Sequence, residues 1–237
     1  MKRSGLLLLT LALAACGSAG HVATNGGTLP PGSHMLVRVE RGEIDAYKPK
    51  VGDLSDQYTL QTSSTQDPPP QPSLTRNGKT LGVSFAPGSP GELLVRVPDR
   101  VSLDASSGEG DVNITDITGI ATAHAGNGNV KVMVEGYAQA SSGAGDVTVY
   151  MGSTNWPGTL HFASDRGDVE VWINATANFH VRMHTDRGTI FTDFALRGTS
   201  SGTSETIVGN VGDANERSID IEARDGSIRL LQLKPQI

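Results

Sequence analysis

The chain predicts an all-β, single-domain β-solenoid, parallel β-helix-like, with coils of about 17–22 residues. Three observations carry that prediction. The stretch Ser106-Ser-Gly-Glu-Gly-Asp-Val-Asn-Ile114 recurs as variants that align on Gly110, Gly128, Gly145, Gly167, Gly188 and Gly226. Two places after each glycine stand Val112, Val130, Val147, Val169, Ile190 and Ile228, and four places after stand Ile114, Val132, Val149, Val171, Thr192 and Leu230. The places between hold Asn113, Lys131, Thr148, Glu170, Phe191 and Arg229, the alternation of a strand with one buried face. Before the glycine the same period returns, with Leu103, Ala121, Ala138, Leu160, Val181 and Ile219 seven places back. Each repeat therefore reads as strand, tight turn, strand, with the glycine at a bend that a side chain would obstruct.

One coil alone cannot bury enough apolar surface to offset the entropy of ordering its backbone. Stacking must supply the rest, by burying the columns and pairing strand edges between coils. The small residues Ser107, Ala125, Ser142, Ser164, Thr185 and Ala223 suit a narrow interior corner.

The N-terminus predicts export. Lys2 and Arg3 precede an apolar run from Leu6 to Ala14, a secretory signal too short to span a bilayer. Leu13-Ala14-Ala15-Cys16 matches the lipobox of bacterial lipoproteins, in which the cysteine thiol receives a diacylglycerol. Residues 1–15 are thus expected as signal peptide, with Cys16 as the lipidation site and membrane attachment through the lipid. Gly17 lacks the Asp that retains lipoproteins at the inner membrane, so in a host with two membranes the outer one is expected. Cys16 is the only cysteine, which excludes a disulfide framework within the chain. Residues 16–34 show no periodicity and read as the lipidated cysteine and a flexible tether, reaching on the order of 20–25 Å.

Residues 35–237 are assigned to the solenoid. Val37 to Ala46 fits the template with Gly42 in the glycine column, as a first coil or cap. Residues 61–79 break the pattern with a polar, proline-rich excursion that is expected to stay out of the sheets. Asn77-Gly78 marks the turn back, and Thr80 to Phe85 and Glu92 to Val97 read as strands. The long interval between Gly188 and Gly226 implies a coil looped out or degenerate around Thr199 to Asn215.

From Leu94 to Val112, through the repeated Gly-Asp-Val turns, to Gly209-Asn-Val-Gly212 and Ser218 to Leu230, the chain resembles a bacterial domain family of unknown function labelled “putative adhesin”. The resemblance covers roughly residues 35–233. It implies a β-solenoid outside the cytoplasm, and it brings no catalytic residues to carry over.

Chemistry is sparse. Asp111, Asp146 and Asp168 share one turn column with Asn129. Coils stacked at ~4.8 Å bring Asp146 and Asp168 near the ~5–5.5 Å separation of a retaining glycosidase. Asp and Asn beside glycine also bond backbone N–H groups in turns, and that structural reading is the stronger. Gly-Glu-Gly-Asp resembles a calcium-binding nonapeptide, but the Asp follows the second glycine directly and the ligand spacing fails. The six histidines assemble no metal site: His124 and His184 are read as three coils apart, and His161 as a neighbour of Arg182. No metal or cofactor is expected. The formal charge of −6 becomes −8 without Lys2 and Arg3, and with no basic stripe this argues against nucleic acid.

Asp165-Arg166-Gly167 and Asp186-Arg187-Gly188 repeat in what the sequence presents as adjacent coils, and Arg224-Asp225-Gly226 inverts them. These six charges are the candidate binding edge, for an anionic envelope glycan or a protein; the bland alternative is a set of exposed ion pairs. The leading functional expectation is a non-enzymatic, lipid-anchored envelope protein, adhesin-like or a scaffold. A polysaccharide-active enzyme and an envelope sensor acting through a partner are the rivals.

Overall fold

A computed structural model describes residues 20–48, 56–89, 91–213 and 216–233. The N-terminal strands are β1 (His21–Thr28), β2 (His34–Arg41), β3 (Ile44–Tyr47), β4 (Gln57–Ser64), β5 (Ser73–Asn77), β6 (Thr80–Ser84) and β7 (Glu92–Arg96). The repeats give β8 (Ser102–Glu109), β9 (Val112–Ile117), β10 (Ala121–Asn127), β11 (Val130–Val134), β12 (Ala138–Ala144), β13 (Val147–Met151), β14 (Thr159–Arg166), β15 (Val169–Asn174), β16 (Phe179–Arg187) and β17 (Ile190–Thr192). The chain finishes with β18 (Gly198–Ser201), β19 (Ser204–Val211), β20 (Ser218–Asp225) and β21 (Ile228–Leu233). There is no helix among the described residues.

The strands form two open, mostly parallel sheets, and each coil gives one strand to each. The sheet called A here runs β1-β4-β7-β3-β9-β11-β13-β15-β21-β17, and sheet B runs β18-β19-β16-β20-β14-β12-β10-β8-β2-β6-β5. The alternation read from sequence sets the faces. Val112, Ile114, Val130, Val132, Val147, Val149, Val169 and Val171 of sheet A are fully buried, and Leu103, Ala121, Ala138, Leu160, Val181 and Ile219 of sheet B face them. At ~1.5–3 kcal/mol for each large side chain removed from water, this shared core supplies what one coil lacks.

The glycine corner joins the two strands of a coil, and it stacks more tightly than strands do. A Cβ on Gly145 would fall on the carbonyl oxygen of Gly128, as one on Gly128 would on that of Gly110. Gly145 has φ +147° and so also sits in a backbone region that L side chains resist. At Gly188 and Gly226 close approach alone demands glycine, with Gly226 resting on Gly167 and Gly188 on Gly226.

Stacking order differs from chain order at both ends. The β20–β21 coil lies between β14–β15 and β16–β17, through parallel pairings on either side. Likewise β2–β3 lies between β6–β7 and β8–β9, so the coil at Gly42 is the second rung, and β6–β7 is the first. The Asp165 and Asp186 coils are therefore not adjacent, because the Arg224 coil separates them. His124 and His184 are four coils apart rather than three. The final strand β21 is an interior rung, not an edge.

Two expectations about irregular segments are corrected, and the third takes a definite form. Within the expected tether, residues 21–28 form β1, antiparallel to β4 across eight residue pairs. Only Ala23 of that strand turns fully inward, followed by Leu29, so hydrophobic periodicity could not reveal a strand held by backbone pairing. Within 61–79, the excursion shrinks to 65–72, where the prolines Pro68, Pro69, Pro70 and Pro72 stand. Its flanks join the sheets as β4, whose inward residues are Tyr58, Leu60, Thr62 and Ser64, and as the edge strand β5. Around Thr199 to Asn215, the chain makes the antiparallel hairpin β18–β19, which covers the far edge of sheet B against β16. Cys16 and the expected signal peptide, residues 1–15, lie outside the described residues.

Candidate functional site

The six charges of the predicted edge are gathered at the glycine corner by the interleaved C-terminal coil. Arg166 and Arg187 are both Cα partners of Asp225, one on each side. By the same register Arg224 lies between Asp165 and Asp186. Two rows result, Asp165–Arg224–Asp186 and Arg166–Asp225–Arg187, each alternating in sign. The inverted order Arg224-Asp225 is what a coil needs if it is to sit between two Asp-Arg coils without placing like charges side by side.

The contacts are specific. Arg187 holds Asp225 with a fork, Nε to Oδ1 at 3.2 Å and Nη2 to Oδ2 at 2.9 Å. That hydrogen bonding, then the charge of Arg187, lowers the Asp225 carboxyl below its ordinary pKa, and the same pairing raises Arg187. Arg224 reaches Asp165 at 3.4 Å, and Asp186 receives His184 at 3.0 Å. Arg166 alone of the six makes no ion pair among the described residues. It lines an open cleft of about 270 Å³ with Gly143, Asp165, Arg187, Arg224 and Asp225. Gly143 occupies the place that Asp165 holds one coil further on, so the cleft is floored by backbone beside Arg166.

The turn carboxylates follow the corner glycines directly and bond along the stack. Asp111 Oδ1 accepts the N–H of Asn129 at 2.7 Å, Asn129 Oδ1 that of Asp146 at 2.9 Å, and Asp146 Oδ1 that of Asp168 at 2.9 Å. Asp168 Oδ1 in turn accepts the N–H of Ser227 at 2.7 Å. Each side chain bonds the next coil, so the column clamps rungs together. A second ladder lies inside the corner. Ser107, Ser142, Ser164 and Thr185 donate their hydroxyls to the carbonyls of Gly42, Gly128, Gly145 and Gly226 at 2.7–2.9 Å.

The histidines pair with neighbouring strands. His161 meets Asp220 at 3.8 Å, and Asp220 separates it from Arg182, which binds both Asp220 and Glu222. Thr206 Oγ1, His184 and Asp186 form a line of contacts at 2.8 and 3.0 Å, while His180 makes the equivalent cross-strand contact to Asn210 at 2.8 Å. Among the described residues no group of three or more His, Cys, Asp or Glu is placed to hold a metal ion.

Two features escaped the sequence reading. Five places after the glycine, the outer face of sheet A carries Tyr47, Met133, Tyr150, Trp172 and Leu231; Tyr150 and Trp172 stack with ring centroids 5.6 Å apart. Extending the column alignment by one place would have shown this row. At the N-terminal corner burial, followed by the charges of Asp45, Asp111 and Glu92, raises the Glu43 carboxyl above its ordinary pKa. Gly42 is remote from Glu92 in sequence, and only the threading of β2–β3 beside β7 brings these acids together.

The model of the Toastrack DUF4097 family matches residues 99–231, more than half of the chain. The chain belongs to that family. The matched span runs from just before β8 into β21 and so takes in the interleaved C-terminal coil. A structure described as a “putative cell adhesion protein” from Clostridium sporogenes is similar with a TM-score of 0.50 and 10% identity, over 90% of this chain and 100% of that one. A “putative adhesin” from Bacteroides fragilis is similar with a TM-score of 0.32 and 12% identity, over 90% of this chain and 98% of that one. The first of these likenesses shows the fold. No curated protein matches the chain.

Proposed function

We propose that this protein is a non-enzymatic, lipid-anchored binding protein of the bacterial cell envelope, and that its ligand is an anionic envelope glycan gripped at the Arg166 corner. The observation that carries this reading is the unpaired guanidinium of Arg166 beside a cleft floored by Gly143, in a row where every other charge has a partner among the described residues. A carboxylate, sulfate or phosphate on the ligand would continue the alternation, with the bidentate geometry that arginine favours. The similar structure from Clostridium sporogenes, described as a “putative cell adhesion protein”, supports a binding role. The lipobox at Cys16 supports attachment to a membrane by its lipid, on the extracytoplasmic side.

The turn carboxylates support a non-enzymatic role. Asp146 Oδ1 accepts a backbone N–H of the next coil, as does Asp168 Oδ1, which gives both carboxylates the structural turn role. The test is calorimetric titration of the protein with purified acidic and neutral envelope polysaccharides, with turnover monitored in parallel. Binding restricted to the acidic polymers and weakened about tenfold or more by Arg166→Ala is expected, the loss of one charge-assisted hydrogen-bonding group. Binding that Arg166→Ala leaves intact would place the site elsewhere. Polysaccharide cleavage lost in Asp146→Asn or Asp168→Asn would replace the proposal with the enzymatic reading.

A further inference from the structure

The strand found in the expected tether fixes more than a boundary. Gly20 leads directly into β1, the outermost strand of sheet A, while β5 is the outermost strand of sheet B at the same end. The two are tied across that end, by Arg76 Nη2 to the carbonyl of Thr28 at 2.6 Å and by Asn25 to Gln71 of the proline loop at 3.1 Å. Cys16 lies four residues before Gly20, so the connection spans at most ~14 Å even when fully extended. A flexible tether through residue 34 would have let the domain roam; a link this short would not.

We propose that the β1–β5 end of the stack faces the lipid bilayer and that the coils rise away from it, so that the protein stands on its N-terminal cap. The proposal rests on the lipid-anchor reading of Cys16. Two observations favour this pose over one with the stack lying flat, and a third sets the height at which it holds the far end. The cap exposes apolar Val22 and Leu74 together with the cations Arg76 and Lys79, a combination suited to a headgroup surface. The corner beside Gly20 instead carries Glu43 and Glu92, and further along the same edge come Asp111, Asp146 and Asp168. Laying that acidic edge on anionic lipid would be repulsive. Finally, the eleven strands of sheet B extend ~48 Å at ~4.8 Å per step, which puts the β18–β19 hairpin beyond the reach of the link. The Arg166 corner, six strands from β5 in the β14 coil, is thereby held well clear of the surface, open to polymers in the envelope space.

The experiment uses the full lipidated chain in vesicles of phosphatidylethanolamine and phosphatidylglycerol that carry a headgroup-attached quencher. Fluorophores are placed by Ser73→Cys on β5 and by Thr203→Cys at the tip of the β18–β19 hairpin, both exposed positions. Mass spectrometry of the N-terminal peptide is read first, and an unmodified Cys16 overturns both the anchor and the pose. With Cys16 lipidated, the Ser73→Cys label is expected to be quenched about fivefold more than the Thr203→Cys label, given a ~48 Å stack. Equal quenching, or the reverse, overturns the pose and leaves the anchor standing. Inserting twenty Gly/Ser residues between Ala19 and Gly20 adds a coil of about 25 Å reach, and the difference should then collapse. A difference unchanged by that insertion would show that the short link is not what orients the protein.

Discussion

Replacing Gly145 by alanine adds one methyl group where two coils approach closely. Its Cβ would fall on the carbonyl oxygen of Gly128, and a φ of +147° adds backbone strain. The strain costs about 1–3 kcal/mol. Relieving the overlap requires the two corners to part, which weakens the bonds clamped there: Gly128 N to Ala144 O, Gly145 N to Arg166 O and Ser142 Oγ to Gly128 O, each 2.8 Å. At about 1 kcal/mol for each bond, the total loss is about 4–6 kcal/mol. Gly158→Ala is the internal control. Gly158 also has a positive φ, +64°, but an added Cβ there meets nothing within 4 Å, so only the backbone cost of about 1–2 kcal/mol applies. Urea unfolding followed by the fluorescence of Trp156 and Trp172 should place the Gly145→Ala midpoint below that of Gly158→Ala. With m values of about 1–3 kcal/mol per molar urea, the gap is about 1 M or more. Equal midpoints would show that the glycine column answers to φ alone, and that close approach between coils is not what demands glycine.

Ala125 occupies the corner position where Ser107, Ser142 and Ser164 donate to the previous coil's glycine, so Ala125→Ser should stabilise by about 0.5–1.5 kcal/mol and Ser142→Ala destabilise by a similar amount, read from the same urea midpoints. The double substitution Arg224→Asp with Asp225→Arg would set like charges side by side in both corner rows; its melting temperature should fall below wild type at low salt and recover toward it at ~1 M, where the Debye length is ~3 Å. A salt-independent deficit would show that the rows act by packing. Burial and the neighbouring acids raise the Glu43 pKa in the fold, so its contribution is fully present below its unfolded pKa of ~4.3 and is lost as pH rises through the folded value. Glu43→Gln should therefore melt higher than wild type near neutral pH, with the advantage vanishing in acid; a pH-independent difference would contradict that sign.

The repeat was legible because its physics is local to one coil. Val112 and Ile114 alternate with polar neighbours whatever coil lies above them, and a glycine at the bend is demanded in every rung. The order of the rungs was not legible. Nothing local to Ser218–Leu233 says that it slots between β15 and β17, since its inward Ile219, Ile221, Ile228 and Leu230 would fit a terminal rung equally well. The one mark of its neighbours is the inversion to Arg224-Asp225, visible in the sequence and intelligible only once the flanking coils are known. Edge strands were missed for a related reason. β1 and β5 bury almost no side chains and are held by backbone hydrogen bonds, which leave no hydrophobic pattern. The candidate site inherits this division: its six charges could be picked from the repeat, but not which of them lacks a partner.

The whole arrangement of that site depends on the C-terminal coil being a middle rung, and a pair of engineered disulfides reads this directly. Glu222 is the Cα partner of Ala163 on one side and of His184 on the other. In a Cys16→Ser background, Ala163→Cys with Glu222→Cys joins neighbouring strands ~4.8 Å apart, within the ~4.4–6.8 Å that a disulfide spans. Ala163→Cys with His184→Cys lies two strand spacings apart, ~9.6 Å, beyond the ~7 Å limit. Oxidation of the folded protein should close the first pair and leave the second as free thiols. Closure of the 163–184 pair, with the 163–222 pair open, would mean that the coils stack in chain order and that the alternating corner does not exist.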